Sequence, residues 1–286
     1  MLETEIEAFW DEHPCGDGIV GGLDDAFLGD YERFFARYDA WRYEREGHIL
    51  MCLDGLDVDN QRVLEIGLGQ GADSEQLIRR GARWSGVDLT AAAVARVRAR
   101  FALRGVPFEQ LRQASVLDLP FADGSFDLVF SHGVLHHVPE VRRAQREIHR
   151  VLAPNGELVV MLYARRSLNY QVSIRVVRRA ALAAIYPLAR RGLVRPRGIV
   201  AQHVENASKE GLASYLRLGN FVHRSTDGAL NPYTKVYDLA DVAADFPDFR
   251  ITRSYKVYMH APPLPVHGLP GASRLGWHLW VHLAPR

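Results

Sequence analysis

The order of apolar and helical segments between residues 62 and 163 constrains the fold more than any other feature of this chain. Short runs rich in β-branched residues alternate there with longer segments whose apolar residues have helical spacing. This alternation predicts βαβ units with a parallel sheet, and because such crossovers are right-handed, the sheet is open and doubly wound. We predict, in order, strand 62–66, helix 72–81, strand 83–88, helix 91–104, strands 108–114 and 126–131, helix 139–152 and strand 157–163.

The remaining segments are organised around this core, which spans residues 61–163. Residues 1–60 contain an aromatic-rich segment with helical spacing, so we predict an N-terminal helical cap that covers a sheet edge or forms a wall over the cofactor. Residues 164–236 break the α/β rhythm and are predicted to be an inserted region that covers the substrate. Residues 237–286 hold a short helix and two β-like runs, the C-terminal part of the core sheet.

Composition excludes several classes of function. The formal net charge of +1 argues against a general polyanion binder, so we expect no nucleic-acid partner. Neither Cys15 nor Cys52 lies in a CxxC or metal-ligand spacing, which favours a reducing, cytoplasmic setting. The acidic N-terminus shows no export signal, and no uncharged apolar stretch is long enough to span a bilayer.

The stretch VLEIGLGQGA at residues 63–72 fits two cofactor signatures. Gly67-x-Gly69-x-x-Ala72 fits the dinucleotide fingerprint, whereas Glu65-x-Gly67-x-Gly69-x-Gly71 fits the signature of S-adenosylmethionine binding. Glu65 would be unfavourable beside a pyrophosphate and favourable beside a sulfonium or ammonium group. The charge therefore favours S-adenosylmethionine, with an NAD-dependent oxidoreductase as the alternative.

Asp88 ends the second predicted strand about twenty residues after the loop, where an acid accepts hydrogen bonds from ribose hydroxyls. Both cofactor classes use such an acid. A second interpretation is that Asp88 caps the helix that starts after Thr90.

Four successive segments resemble the motifs of class I S-adenosylmethionine-dependent methyltransferases, in particular the type 11 group. They are VLEIGLGQGADS, GVDLT, ASVLDLPFADGSFDLVFSHGVLHHVPE and REIHRVLAPNGELVVMLY. The resemblance implies a Rossmann-like, mostly parallel sheet in which the sixth and seventh strands form an antiparallel C-terminal edge, with GWHLWVHL as the closing strand. It also implies methyl transfer from S-adenosylmethionine to a small molecule by in-line displacement. The flanking segments resemble a bacterial subgroup.

The resemblance also implies roles for individual residues. Glycines 67, 69 and 71 would line the methionine and ribose portions, with Glu65 nearby. Many relatives have an Asp at the position of Ser115, where the adenine amino group is bound; serine can still accept one hydrogen bond. The cofactor-binding set implied is Glu65, Gly67, Gly69, Gly71, Asp88, Leu89, Ser115, Val116 and Ser131.

Methyl transfer requires alignment and partial desolvation, and it needs a base only when the nucleophile arrives protonated. The candidate catalytic residues are His132, His136, Tyr163 and Tyr170, although aromatic packing is the alternative role for both tyrosines. The adjacent His136 and His137 point in different directions on a helix or turn and have no third ligand at a suitable spacing. We therefore predict no metal site.

Nine arginines and no acidic residue lie between Glu157 and Glu205. This insertion is a solvated helix face, a clamp on an anionic substrate, or a weak membrane-surface contact that draws in an amphipathic substrate. The expected partner is a small-molecule substrate, anionic or amphipathic. A non-catalytic S-adenosylmethionine-binding scaffold remains an alternative, because this chemistry needs no obligatory side chain. The sequence does not indicate an oligomeric state.

Overall fold

A computed structural model describes residues 2–286 as a seven-stranded sheet surrounded by helices. The strand order across the sheet is β3-β2-β1-β4-β5-β7-β6. The strands are β1 (Arg62–Ile66), β2 (Arg83–Asp88), β3 (Gln110–Gln113), β4 (Phe126–His132), β5 (Leu152–Tyr163), β6 (Phe249–Val257) and β7 (His278–Pro285).

The helices flank the sheet and extend over one of its ends. A 3-10 turn at Leu135–His137 and a π-helical segment at Asn169–Arg178 complete them. The α-helices are α1 (Leu2–Glu12), α2 (Asp17–Val20), α3 (Leu23–Ala26), α4 (Tyr31–Arg45), α5 (His48–Asp54), α6 (Ala72–Arg79), α7 (Ala91–Arg104), α8 (Val141–Val151), α9 (Arg179–Arg190), α10 (Gly198–Glu210), α11 (Leu212–Tyr215), α12 (Leu218–His223), α13 (Leu239–Asp245) and α14 (Ala272–Leu275).

The predicted doubly wound sheet is confirmed. Strands β1 to β5 pair in parallel, and β7 pairs antiparallel with both β5 and β6. The antiparallel strand therefore lies between two others, and β6 forms the edge. A reversal of order on either side of β1 creates the switch point at which open α/β sheets bind ligands.

Alternate residues of each central strand supply two separate cores, one on each face of the sheet. Leu158, Val160 and Leu162 of β5 face helices α8 and α13, whereas Val159 and Met161 face helices α5, α6 and α7. This explains the unbroken apolar run LVVML in β5, because a strand buried on both faces has no solvent side.

The inserted region leaves and rejoins the sheet at one point. Tyr237 N–H donates to the carbonyl of Tyr163 at 2.8 Å, and Arg165 N–H donates to the carbonyl of Tyr237 at 2.7 Å. Residues 164–236 therefore form a loop that is closed at the carboxyl end of β5. The helices within it share a small core that includes Ile174, Tyr215 and Phe221. Both ends of the insertion are thus fixed at the ligand-binding edge of the sheet.

Candidate active site

One cavity of about 1410 Å³ opens at the carboxyl ends of β1, β2, β4 and β5. Its walls come from the loops after these strands, from α1 and α4, and from the inserted region. Pockets for one ligand commonly measure about 300–1,000 Å³. The volume is therefore sufficient for a nucleoside cofactor together with a second molecule.

The glycine loop after β1 has the backbone that its sequence predicts. Gly67, Gly69 and Gly71 have φ angles of 79°, 52° and 75°, in the left-handed region that disfavours side chains. A Cβ on Gly67 would lie 2.1 Å from a methyl carbon of Val134, so the loop needs glycine for space as well. Gly67 and Gly69 line the cavity, whereas Gly71 precedes α6 and packs beside Val97.

Asp88 joins the glycine loop to the next loop of the sheet. Its carboxylate accepts hydrogen bonds from Leu68 N–H at 2.7 Å and from the N–H and hydroxyl of Thr90, both at 2.9 Å. Burial raises the pKa of Asp88, and these donors oppose that rise. Thr90, not Asp88, caps α7. Asp88 lines the cavity, and a carboxylate retains acceptor sites beyond these three bonds.

Helix α1 covers the far end of the cleft, where Leu89, Ser115 and Val116 line the cavity. The Ser115 hydroxyl donates to the Glu3 carboxylate and accepts from Leu117 N–H at 3.0 Å. Serine replaces the acid that many relatives carry, yet a carboxylate from elsewhere in the chain stands beside it. No sequence motif indicated Glu3 as part of this site.

Glu65 is buried at the floor of the cavity, with only 2% of the residue exposed. Its carboxyl accepts a hydrogen bond from the Trp84 indole at 2.8 Å. Burial, with a further contribution from the Asp73 carboxylate, raises the pKa of Glu65 to about 8. The preference for a sulfonium or ammonium ligand that was inferred from the sequence requires an ionised Glu65. In the free cleft it is mostly neutral at pH 7, and a cation beside it would favour its ionised form.

A buried cluster of polar side chains links helix α4 to the start of α6, directly after the glycine loop, and to the end of β4. Arg42 on α4 forms a two-pronged ion pair with Asp73 on α6, and the Tyr43 hydroxyl donates to Asp73 at 3.1 Å. Arg42 also donates to His132 Nδ1, with the nitrogens 3.1 Å apart. Of the two roles weighed for the N-terminal aromatic segment, the structure shows a cavity wall, because Tyr38, Trp41 and Arg42 all line it.

These contacts define the chemistry of His132. Burial lowers the pKa of His132 well below its usual range, and Arg42 adds to this effect, so the ring is neutral. Because a guanidinium only donates, Nδ1 accepts and the proton lies on Nε2. His132 lines the cavity as a donor at Nε2 and has no free lone pair with which to take a proton.

Besides Gly71, three predicted residues lie away from the cavity wall. The Ser131 hydroxyl donates to the Ile66 carbonyl at 3.1 Å, which ties β4 to β1. His136 is fully buried, and its ring centre lies 3.8 Å from that of Tyr163; burial lowers its pKa well below the usual range. Tyr170 packs against the core of the inserted region. All three have structural partners in the folded chain.

A polar group formed by His137, Tyr163 and Asp227 lines the cavity where the inserted region meets the end of β5. Tyr163, at the end of β5, donates to Asp227 Oδ1 at 2.7 Å. Burial raises the pKa of Tyr163 well above its usual range, and Asp227 adds to this, so the phenol keeps its proton. Tyr163 is one of the candidate catalytic residues from the sequence, and a role as general base was open for either His136 or His137, whereas no motif indicated Asp227.

The second oxygen of Asp227 faces an imidazole nitrogen. His137 Nδ1 donates to the Tyr233 carbonyl at 2.8 Å, so in the neutral ring Nε2 is an acceptor. Nε2 lies 3.4 Å from Asp227 Oδ2, and both atoms are buried with no hydrogen-bond donor from residues 2–286. Two facing acceptors repel unless a proton lies between them or a ligand donates to them.

Within the part of the chain that the structure describes, Glu46, His48 and His278 form a group that could hold a cation, because their ligand atoms lie within 4.8 Å of one another. The Trp280 indole donates to His48 Nδ1 at 3.4 Å, which leaves the proton of a neutral His48 on Nε2. That nitrogen lies 3.1 Å from His278 Nδ1. Trp280, His48 and His278 are therefore linked by hydrogen bonds without a metal ion between them. In the sequence, only the adjacent His136 and His137 had suggested a metal site.

Comparison with known proteins agrees with the geometry. Residues 64–160 match the family model described as "Methyltransferase domain". The chain is 27% identical over 165 residues to a probable tocopherol O-methyltransferase of Oryza sativa, covering 57% of this chain and 44% of that protein. It is 36% identical over 102 residues to a fatty-acid O-methyltransferase of Mycolicibacterium smegmatis, and the match covers 35% of this chain and 36% of that protein. A ubiquinone biosynthesis O-methyltransferase of Alkalilimnicola ehrlichii is 31% identical, and the match covers 46% of this chain and 52% of that protein. The matched segments thus span about half or less of these relatives.

Solved structures share the fold over most of the chain. A SAM-dependent methyltransferase from Aquifex aeolicus aligns with a TM-score of 0.52 and 14% identity, covering 89% of this chain and 97% of that one. A chain from the complex between the Haloferax volcanii Trm112 methyltransferase activator and the putative methyltransferase aligns with a TM-score of 0.53 and 16% identity, covering 90% and 97%. The strand order, the glycine loop with its acid at the end of β2, and the family match agree. Residues 64–160 therefore form a methyltransferase domain, the sheet has the class I methyltransferase fold, and the cofactor that this domain implies is S-adenosylmethionine.

Proposed function

We propose that this protein transfers a methyl group from S-adenosylmethionine to a small-molecule acceptor bearing a protic oxygen or nitrogen. The observation that carries the proposal is the continuity of one cavity: the glycine loop and Asp88 lie at one side, and His137, Tyr163 and Asp227 lie at the other. The relatives that support it are named for O-methylation of tocopherol, of a fatty acid and in ubiquinone biosynthesis.

The residues fit the cofactor. Gly67 and Gly69 leave the backbone open to a ligand, Asp88 offers acceptors to a ribose diol, and Glu65 offers a carboxylate that a positive charge would ionise. When bound, S-adenosylmethionine supplies an electrophilic methyl carbon with a neutral thioether as leaving group.

The residues of the chain must position the acceptor and take up its proton. Transfer of the methyl group would exchange its carbon–sulfur bond for a bond to the acceptor atom, and the proton that the acceptor would lose has to be taken up by residues of this chain. We propose that His137 and Asp227 accept that proton at Nε2 and Oδ2, the two facing acceptor atoms. Tyr163 orients Asp227 through its hydroxyl, and the buried walls exclude water from the reacting atoms.

The setting proposed for this reaction remains the cytoplasm. Both cysteines are free thiols, which supports a reducing environment. No helix of residues 2–286 is long and apolar enough to cross a bilayer.

Calorimetric titration tests the first half of the proposal. We expect S-adenosylmethionine to release or absorb heat with one-to-one stoichiometry and NAD to give none. Heat from NAD alone would overturn the assignment. Incubation with donor labelled in the methyl group and a cell extract tests the second half. Label in a metabolite is the expected result, whereas cofactor binding without any transfer would leave a non-catalytic scaffold.

Replacing Asp88 by Ala is expected to weaken S-adenosylmethionine binding by more than about 1 kcal/mol, because charge-assisted hydrogen bonds are lost. Titration calorimetry measures the change. Asp118→Ala is the matched control, because it makes the same change at an exposed residue that is not part of the cavity wall, and it should leave the affinity unchanged. Equal affinities of Asp88→Ala and wild type would remove Asp88 from the cofactor site.

A further inference from the structure

The arginines of the inserted region have two different structural roles. Arg178, which lines the cavity, donates to the carbonyls of Pro262 and Ser225 and to Asn169. Arg179 donates to the carbonyl of Leu216 at 2.9 Å. These hydrogen bonds use three of the five N–H donors of Arg178 and tie both arginines to neighbouring parts of the chain.

The other group of arginines lies where α9 turns into α10. Arg190, Arg191, Arg195 and Arg197 are exposed, and no ion pair involves them within residues 2–286. No acidic residue occurs between Glu157 and Glu205 to neutralise them. We call this region the α9–α10 corner, comprising residues 188–200. Its positive charge is therefore presented to solvent.

Apolar side chains are exposed among these arginines. Leu193 is 68% exposed and Ile199 is 52% exposed, and the other exposed apolar residues of the corner are Leu188, Val194 and Val200. A solvated helix face does not need large apolar side chains at its tip. Exposed aliphatic residues interleaved with arginine are typical of segments that lie in the headgroup region of a bilayer.

The cavity reaches the same corner. Ile199 and Val200 are both exposed and part of the cavity wall, which continues inward along Ile185 and Leu182 towards the polar group at Asp227. One apolar passage thus connects the corner with the acceptor side. An amphipathic molecule in a membrane could enter with its polar head towards Asp227 while its chain remains among aliphatic side chains.

We propose that the α9–α10 corner docks on an anionic membrane surface and that the acceptor is a lipid with a single protic head group. The membrane contact stands on charge, exposure and position alone. The identity of the ligand rests on the proposed methyl transfer. Charge complementarity selects the membrane as partner: four unpaired arginines match anionic headgroups, and the aliphatic side chains match the acyl boundary beneath them.

Co-sedimentation of the full chain with vesicles tests this proposal. We expect binding to phosphatidylcholine vesicles that contain about 30 mol % phosphatidylglycerol and much weaker binding to phosphatidylcholine alone. Raising salt from about 0.05 to about 0.5 M should reduce the binding, because it screens surface charge. Absence of binding to the anionic vesicles would overturn the proposal.

Matched variants locate the contact. Arg190→Glu/Arg191→Glu should lower the vesicle partition coefficient at least about twentyfold, since each basic residue contributes about fivefold near an anionic surface. Arg142→Glu/Arg143→Glu makes the same charge change on exposed positions of α8 and should have little effect beyond the change in net charge. Leu193→Asp should also lower binding, whereas Leu103→Asp on α7 is its control. Equal losses in both charge variants would show a non-specific attraction and overturn the docking site.

The outcome is separable from that of the proposed function. Vesicle binding without any heat from S-adenosylmethionine would overturn the methyl transfer and leave the docking surface standing. Cofactor binding without vesicle binding would overturn the docking surface and leave the methyl transfer standing. If an acidic protein, and no anionic vesicle, bound the corner, the membrane proposal would be wrong.

Discussion

Replacing Glu65 by Gln is expected to weaken S-adenosylmethionine binding about ten- to hundredfold near neutral pH, because a buried charge-assisted contact is lost. Gln keeps an acceptor for the Trp84 indole, so the variant should fold normally. Titration calorimetry measures the affinity, and thermal unfolding of the free variant checks the fold.

The pH dependence of binding makes this test specific. The pKa of Glu65 is about 8 in the free cleft, and a bound cation lowers it because the carboxylate is then stabilised. The complex holds fewer protons, so affinity rises with pH below about 8, by at most about tenfold per unit, and levels off above that pH. The measurements should stay below about pH 7.5, where the ammonium group of the ligand keeps its charge.

The Gln variant should lose this slope, because it has no proton to release. A wild-type affinity that is independent of pH, together with an unaffected variant, would show that Glu65 does not face the positive charge of the cofactor. The preference for S-adenosylmethionine over a pyrophosphate would then need another physical cause.

Asp227→Asn is expected to lower the rate of methyl transfer about 10²- to 10⁴-fold while leaving S-adenosylmethionine affinity unchanged. An amide can donate to His137 Nε2 and so occupies the lone pair that would take the acceptor's proton. The measurement is the initial rate of label transfer from a saturating methyl donor to the extract. Glu210→Gln is the matched control, because Glu210 lies in the same insertion and pairs with Arg224 away from the cavity.

Tyr163→Phe separates two roles within this group. It removes the donor to Asp227 Oδ1 and leaves the His137–Asp227 pair, so we expect a loss of about tenfold or less. A loss as large as that of Asp227→Asn would make the tyrosine essential to proton transfer. Wild-type rates in Asp227→Asn would contradict the proposed proton acceptor altogether.

Local sequence predicted the parts of the site that belong to single strand–loop–helix units. Gly67 and Gly69 are required by backbone angles within the loop, and Asp88 follows directly from the end of β2. The strand bounds agree closely, since β1 and β2 occupy the predicted residues 62–66 and 83–88. These features depend on neighbours a few residues away, and that information is present in any short window of the chain.

Pairing across long separations was decided only by the tertiary structure. Glu3 lies against Ser115, Arg42 against Asp73, and Asp227 against Tyr163 and His137. Residues that far apart in the chain meet only because the N-terminal helices and the inserted region fold back over one edge of the sheet.

Protonation states were also beyond reach of the sequence. The order of residues showed a carboxyl at position 65 and a histidine at position 132, but burial decides that both are neutral in the free protein. Desolvation depends on everything packed around a group. The sequence alone thus indicated the fold class through apolar periodicity, and it indicated the cofactor through Glu65 beside the glycine loop and through the order of motifs that resemble class I methyltransferases. The packing of distant segments decided which side chains face the acceptor and which of them can take its proton.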